Sequence, residues 1–164
     1  AVDVGTGSGA LAVTFAVHAP QAAVHASDIS PAALAIARRN AEKYQANIHF
    51  YEGDLLQPLI ERGVKVDLLL ANLPYIPHDE MLTLQVSRHE PLLALDGGAD
   101  GLDLVRRLLS QAKEVCHPGA LLLLEIGSGQ GAAAMATAHA ALETQACDVL
   151  NDYAGHDRIL RVRL

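Results

Sequence analysis

The sequence predicts an α/β fold, doubly wound around a mostly parallel sheet with helices on both faces. Three observations lead there. Short apolar runs of strand length alternate with longer runs of helical spacing along the chain. Val66 to Ala71 is nearly all apolar, as a strand covered on both faces must be. Glycines and lone acids follow the apolar runs directly, as expected where a parallel sheet presents its ligand-binding edge.

The elements follow in order. Ala1 to Val4 reads as a strand running into Gly5, and Leu11 to Ala19 as the helix after it. Ala22 to Ala26 reads as a second strand, closed by Ser27 and Asp28. Ser30-Pro31 opens a helix to about Tyr44, with serine as N-cap and proline in the first turn. Asn47 to Tyr51 and Val66 to Ala71 are the third and fourth strands. An irregular stretch with Pro74, Pro77, Pro91 and Gly97-Gly98 runs to about Asp100; loops of that length in compact domains are usually functional or mobile. Gly101 to Cys116 has Leu104, Leu108 and Ala112 near helical spacing. Pro118-Gly119 reads as a turn, Ala120 to Ile126 as a fifth strand and Gly131 to Leu142 as an Ala-rich helix. Two more strands, Ala146 to Leu150 and Arg158 to Val162, have no long helix between them.

The totals narrow the function. At 164 residues the chain forms one domain, 1–164, large enough to bury a core. Its net charge of −7 argues against a phosphate-binding face, and Arg38-Arg39 and Arg106-Arg107 read as solvated helix faces. Cys116 and Cys147 have neither disulfide nor metal spacing and read as free thiols, and the histidines show no metal spacing. No apolar run reaches transmembrane length, and no signal peptide is visible, so a cytoplasmic location is expected. The chain opens without Met inside a predicted strand, which reads as a domain cut from a longer chain.

Four features carry chemistry. Asp3-Val4-Gly5-Thr6-Gly7-Ser8-Gly9 is a tight turn into a helix N-terminus, where backbone N–H groups are free for a ligand. Taken alone it also satisfies a dinucleotide fingerprint, with Ala10 in the third place. Asp28, before Ile29 at the end of the second strand, is placed to accept both hydroxyls of a ribose, or else to cap the Ser30-Pro31 helix. Asp54 after Gly53 is placed to accept from an adenine amino group, with Leu55 over the ring. Asn72-Leu73-Pro74-Tyr75 decides the chemistry. An amide nitrogen is a poor nucleophile because its lone pair is delocalised, so a site helps by accepting both N–H hydrogens and aiming the lone pair at a sulfonium methyl group. The Asn72 side-chain oxygen and the Leu73 carbonyl suit that task, Pro74 stiffens the turn, and Tyr75 packs against the flat amide. No metal is needed.

These motifs resemble those of the class I S-adenosylmethionine (SAM) methyltransferases with an Asn-Pro-Pro-Tyr motif, and among them the HemK-type release-factor glutamine methyltransferases. The resemblance spans nearly the whole chain. It includes Asp28-Ile29-Ser30, Ala71 to Ile76, Glu90-Pro91, Ala94-Leu95, Asp100 to Asp103, Glu125-Ile126-Gly127, Gln130 and Asp152-Tyr153-x-Gly155-x-Asp157-Arg158. It implies a Rossmann-like seven-stranded sheet with the last strand antiparallel. It implies SAM as cofactor, its methionine part held by Gly5, Thr6, Gly7, Ser8 and Gly9, its ribose by Asp28 and its adenine beside Leu55, with Ile29, Asp54 and Asn72 also at the cofactor. Asp3 either contacts the SAM amino group or orients the glycine loop. The implied reaction methylates the glutamine amide in the Gly-Gly-Gln loop of a peptide chain release factor, gripped by Asn72 to Tyr75. Related enzymes acting on a ribosomal-protein glutamine, or on N6 of adenine or N2 of guanine in nucleic acid, use similar motifs. The sequence departs from the family at Leu73, where the family has proline, and in lacking the family's N-terminal helical recognition domain. Glu125 and Gln130 read as loop-holding residues, and Glu90 as a structural ion-pair partner.

Overall fold

The computed structural model describes residues 1–81, 95–142 and 146–164. Glu90, Pro91, Ala94 and His89 lie outside the described residues. Seven strands form one sheet: β1 (Val2–Val4), β2 (His25–Asp28), β3 (His49–Glu52), β4 (Val66–Ala71), β5 (Cys116–Glu125), β6 (Cys147–Asn151) and β7 (Asp157–Arg163). Helices α1 (Ala10–His18), α2 (Pro31–Lys43), α3 (Gln57–Ile60), α4 (His78–Met81), α5 (Asp103–Val115) and α6 (Gly131–Leu142) connect them. The strand order is β3-β2-β1-β4-β5-β7-β6, with β1 to β5 parallel and β7 antiparallel to both of its neighbours.

Alternation across the strands sorts the core into two layers. Val2 and Val4 are fully buried in the larger cluster with Leu59 of α3, Leu108 and Leu109 of α5, and Ala134 and Ala138 of α6. Asp3, between those two valines, points the other way and accepts from the backbone N–H of Ala12 on α1. That face carries the smaller cluster of Ala12, Ala16, Val24 and Ala26, made of small side chains that let α1 sit close to the sheet. Helix α2 starts as its sequence dictates: Ser30 accepts from Ala33 N at 3.2 Å, and Pro31 occupies the first turn.

Three sequence expectations shift. The second strand runs from His25 to Asp28 rather than from Ala22, because Ala19 and Ala22 close a turn (Ala22 N to Ala19 O, 2.9 Å) and postpone pairing. Helices α3 and α4 were not expected, the second falling in the stretch read as irregular; four residues each are too few to show a helical period. The fifth strand begins at Cys116, and Pro118-Gly119 form a bulge within it: pairing steps from Val66–Cys116 directly to Leu68–Leu121. Cys116 is buried and Cys147 partly buried, both free, and burial pushes the Cys116 thiol up to about 11. Among the described residues no helix is long and apolar enough to cross a membrane.

The order reverses beside β1, which is flanked by β2 and β4, and this opens a crevice beyond their carboxyl ends. The register brings those ends level: Val4 pairs with Ser27 and Ala71, Asp28 with Glu52, and Ala71 with Leu124.

Candidate active site

A cavity of about 640 Å³ fills this crevice, within the size range of small-molecule sites. It is lined by Gly5 and Gly7 after β1, Asp28, Ile29, Ser30 and Ala33 after β2, Asp54 and Leu55 after β3, and Asn72, Leu73 and Pro74 after β4. Asp96, Leu104 and Arg107 complete it.

The first loop is built on a buried carboxylate. Asp3 Oδ2 accepts from Thr6 Oγ1 at 2.6 Å and from Ala12 N at 3.1 Å, tying the loop to both its strand and its helix. Gly5 has a left-handed φ of 69°, and a Cβ there would stand 2.7 Å from Leu73 Cδ2. Glycine therefore permits both the turn and the close approach of the β4 loop. Gly7 donates its N–H to Asp28 Oδ2 and Ser30 its N–H to Asp28 Oδ1, each at 2.8 Å. Asp28 consequently links two loops, and Ser30 rather than Asp28 caps α2.

Burial raises the Asp3 carboxyl pKa above its ordinary value of 3.8, against the hydrogen bonds of Thr6 and Ala12. A raised folded-state pKa means stability is lost as pH rises from the unfolded value through the folded one, and is level above it. Asp3→Asn removes that titration. Its stability relative to the wild type should therefore rise with pH from below 3.8 and then plateau, as read by urea unfolding across that range.

The β4 loop is held from behind. Gln130 Nε2 donates to the Tyr75 carbonyl at 2.9 Å and to the Asp100 carbonyl at 3.1 Å, while its Oε1 accepts from Gly127 N at 2.7 Å. Ile76 and His78 pair with the strap at residues 95–98: Gly97 N donates to Ile76 O, and His78 N to Gly98 O, both at 2.9 Å. Gln130→Ala leaves these groups without that partner and should cost about 1–3 kcal/mol, measurable as a lower urea midpoint. The Tyr75 hydroxyl donates to Glu125 Oε1 at 3.3 Å, and burial first, then the Glu125 charge, pushes the phenol above 10, so it stays a donor at neutral pH. Asn72 is exposed to the cavity, and neither its side chain nor the Leu73 carbonyl is hydrogen-bonded within the described residues.

A family model described as a methyltransferase domain matches residues 1–89. The chain belongs to the methyltransferase domain family. It is 51% identical over 159 residues to the release factor glutamine methyltransferase of Moorella thermoacetica, and 45% identical over 161 residues to that of Bacillus subtilis. These alignments take in 95% and 97% of the chain, which spans 56% of the length of each relative. Among solved structures, it resembles TrmN from Thermus thermophilus (TM-score 0.66, 23% identity, covering 99% of this chain and 43% of that one). It also resembles the T. thermophilus 16S rRNA methyltransferase RsmC, solved with AdoMet and guanosine (TM-score 0.69, 15% identity, covering 99% and 36%). At these identities the likeness concerns the fold.

The methyltransferase domain brings most of the residues singled out in the sequence to one cavity. Gly5, Gly7, Asp28, Ile29, Asp54, Leu55, Asn72, Leu73 and Pro74 line it. Asp3, Thr6, Ser8, Gly9 and Tyr75 do not. Asp3 and Thr6 are buried against one another beneath the loop, which favours the loop-orienting role for Asp3. The Ser8 carbonyl accepts from Asn40 Nδ2 at 2.8 Å, and Gly9 packs on Ala37. Asp54 reaches the wall with its carboxylate paired to Arg107. Sequence reasoning missed Ala33, Asp96, Leu104 and Arg107 as lining residues and read Ser30 only as a helix cap. The only available signal was that Leu104 and Arg107 share a helix face three residues apart; Arg107 read as part of a solvated face.

Proposed function

We propose that this methyltransferase domain binds SAM and transfers its methyl group to a side-chain amide, the glutamine of the Gly-Gly-Gln loop of a peptide chain release factor. The observation that carries the reading is that Asn72, Leu73 and Pro74 share one cavity wall with Gly5, Gly7 and Asp28. A ligand-holding edge and an amide-gripping turn therefore address the same space.

The residues present fit the cofactor. The Asp28 carboxylate, already fixed by two backbone N–H groups, keeps acceptor capacity for a diol. Leu55, Leu104, Ala33 and Ile29 supply apolar surface for a flat ring. Arg107 stands beside Asp54, so any bond from Asp54 to an amino group shares that carboxylate with the guanidinium. SAM, when bound, supplies the activated methyl group. The protein's work is orientation. Asn72 Oδ1 accepts one amide N–H and the Leu73 carbonyl the other, which turns the nitrogen lone pair toward the cavity. Leu73 is 5% exposed and packs over Gly5, so its side chain fixes the position of the carbonyl that the reaction uses.

The two curated relatives are named for the same substrate, which supports the release factor over a nucleic-acid amine. Calorimetric titration of SAM into the full-length protein tests the first half of the reading: one site per chain is expected, and absence of binding would leave a fold without the activity.

A further inference from the structure

Away from the cavity wall, a chain of polar side chains runs from the β6–β7 turn to Tyr75. Asp152 Oδ1 accepts the backbone N–H groups of Ala154 at 2.9 Å and His156 at 3.0 Å, which fixes its carboxylate. Its Oδ2 accepts from Arg158 Nη2 at 3.2 Å and Nε at 3.4 Å. The other terminal nitrogen of Arg158 lies 4.0 Å from Glu125 Oε1, the oxygen that accepts the Tyr75 hydroxyl at 3.3 Å. The side chains of Arg158, Glu125 and Asp152 are 33%, 32% and 26% exposed, so water screens them less than it does an open surface pair. The backbone joins the same places, since Ile126 N donates to Arg158 O at 2.9 Å.

The arrangement answers a specific need. One edge of the Tyr75 ring approaches Gly127, where an added Cβ would come within 3.3 Å of Tyr75 Cδ2. The bond from the hydroxyl to Glu125 is a polar anchor at the far end of the ring. A lone glutamate is a weak anchor, because its carboxylate swings on several torsions. The guanidinium of Arg158 is hydrogen-bonded to Asp152, whose carboxylate is already fixed by backbone, and it brings its charge to within 4.0 Å of Glu125 and beside the Tyr75 hydroxyl.

We propose that Arg158 is a positioning residue for methyl transfer: held by Asp152, it pins Glu125, and Glu125 anchors the Tyr75 hydroxyl so that the ring is fixed beside the Asn72–Pro74 turn. This rests on the proposed reading that Tyr75 packs against the substrate amide from its place next to Asn72, Leu73 and Pro74, which line the cavity while Tyr75 does not. It also gives a task to the Asp152–Arg158 run, which carried part of the family resemblance without a role.

The test uses the full-length protein with SAM and a release factor. Arg158→Gln should lower kcat roughly tenfold, as misplacement of a reacting group does, with SAM affinity unchanged. Arg158→Lys keeps the charge but not the fork, and should fall between. In a Tyr75→Phe background the Arg158→Gln loss should nearly vanish, because the hydroxyl that the network holds is gone. An equal loss in both backgrounds would show a merely structural role and overturn the proposal. Carbon-13 tyrosine NMR without substrate reads the network separately. The Tyr75 signal should move in Arg158→Gln as it does in Glu125→Gln; an unmoved signal would overturn the network even if transfer is normal. No transfer by the wild type, with the NMR shifts as expected, would instead remove the proposed function and with it the task of the network.

Discussion

Replacing Asn72 with alanine should lower kcat for methyl transfer by about 10² to 10³-fold while leaving SAM affinity within a few-fold of the wild type. The reason lies in what the side chain touches. Asn72 stands at the carboxyl end of β4, exposed to the cavity, and is hydrogen-bonded to nothing among the described residues. Its removal therefore breaks no hydrogen bond within the described residues and should leave the urea midpoint close to that of the wild type. In the proposed mechanism it removes one of two acceptors that orient an incoming amide, and an amide with one N–H unmatched loses its aim at the methyl group. Single-turnover rates with saturating SAM, set beside calorimetric SAM binding, separate the two effects. Equal loss of binding and rate would make Asn72 a cofactor ligand instead.

The second large effect is expected at Gly101. This residue has a left-handed φ of 78°, and an added Cβ would collide with the Tyr75 carbonyl oxygen and the Gln130 side-chain amide. Gly101→Ala thus meets backbone strain and a steric conflict together, at a place where Gln130 binds the Tyr75 and Asp100 carbonyls. Relief requires the Tyr75 backbone and the Gly101 segment to move apart, which also disturbs the Gln130 bonds between them. A loss of about 2–4 kcal/mol in stability is expected from urea unfolding, accompanied by a fall in transfer rate at temperatures where the variant is still folded. Gly119→Ala serves as a control, since it has a similar left-handed φ of 85° but nothing within 4 Å of the added Cβ. It should cost only about 1–2 kcal/mol and leave the rate unchanged. If the two variants behave alike, the strap is not what holds the Tyr75 turn.

The parts of the fold that could be read from the sequence are those with strong local causes. Val66–Ala71 and Gly131–Leu142 have the expected bounds because a nearly all-apolar run and an alanine-rich run start and stop sharply. Ser30-Pro31 marked the start of α2 because capping chemistry is local. The start of β5 was not legible: Pro118-Gly119 signals a turn in any single chain, and only pairing with β4 makes it a bulge. The same division runs through the site. Each motif after a strand was visible, because a doubly wound sheet turns positions after strands into one edge. Arg107 and Asp96 reach the cavity from a helix and a strap whose placement depends on packing. The two readings of Asp3 were separable only once alternation showed it facing α1 between two buried valines.

The central claim is that this site methylates the amide of a release-factor glutamine. The most direct measurement incubates the full-length protein with SAM and a bacterial release factor, then locates the added methyl group by peptide mass spectrometry. The account predicts a single methyl on the glutamine of the Gly-Gly-Gln loop, and none with the Asn72→Ala variant. An unmodified loop with SAM binding intact, or a methyl on another residue, would contradict it.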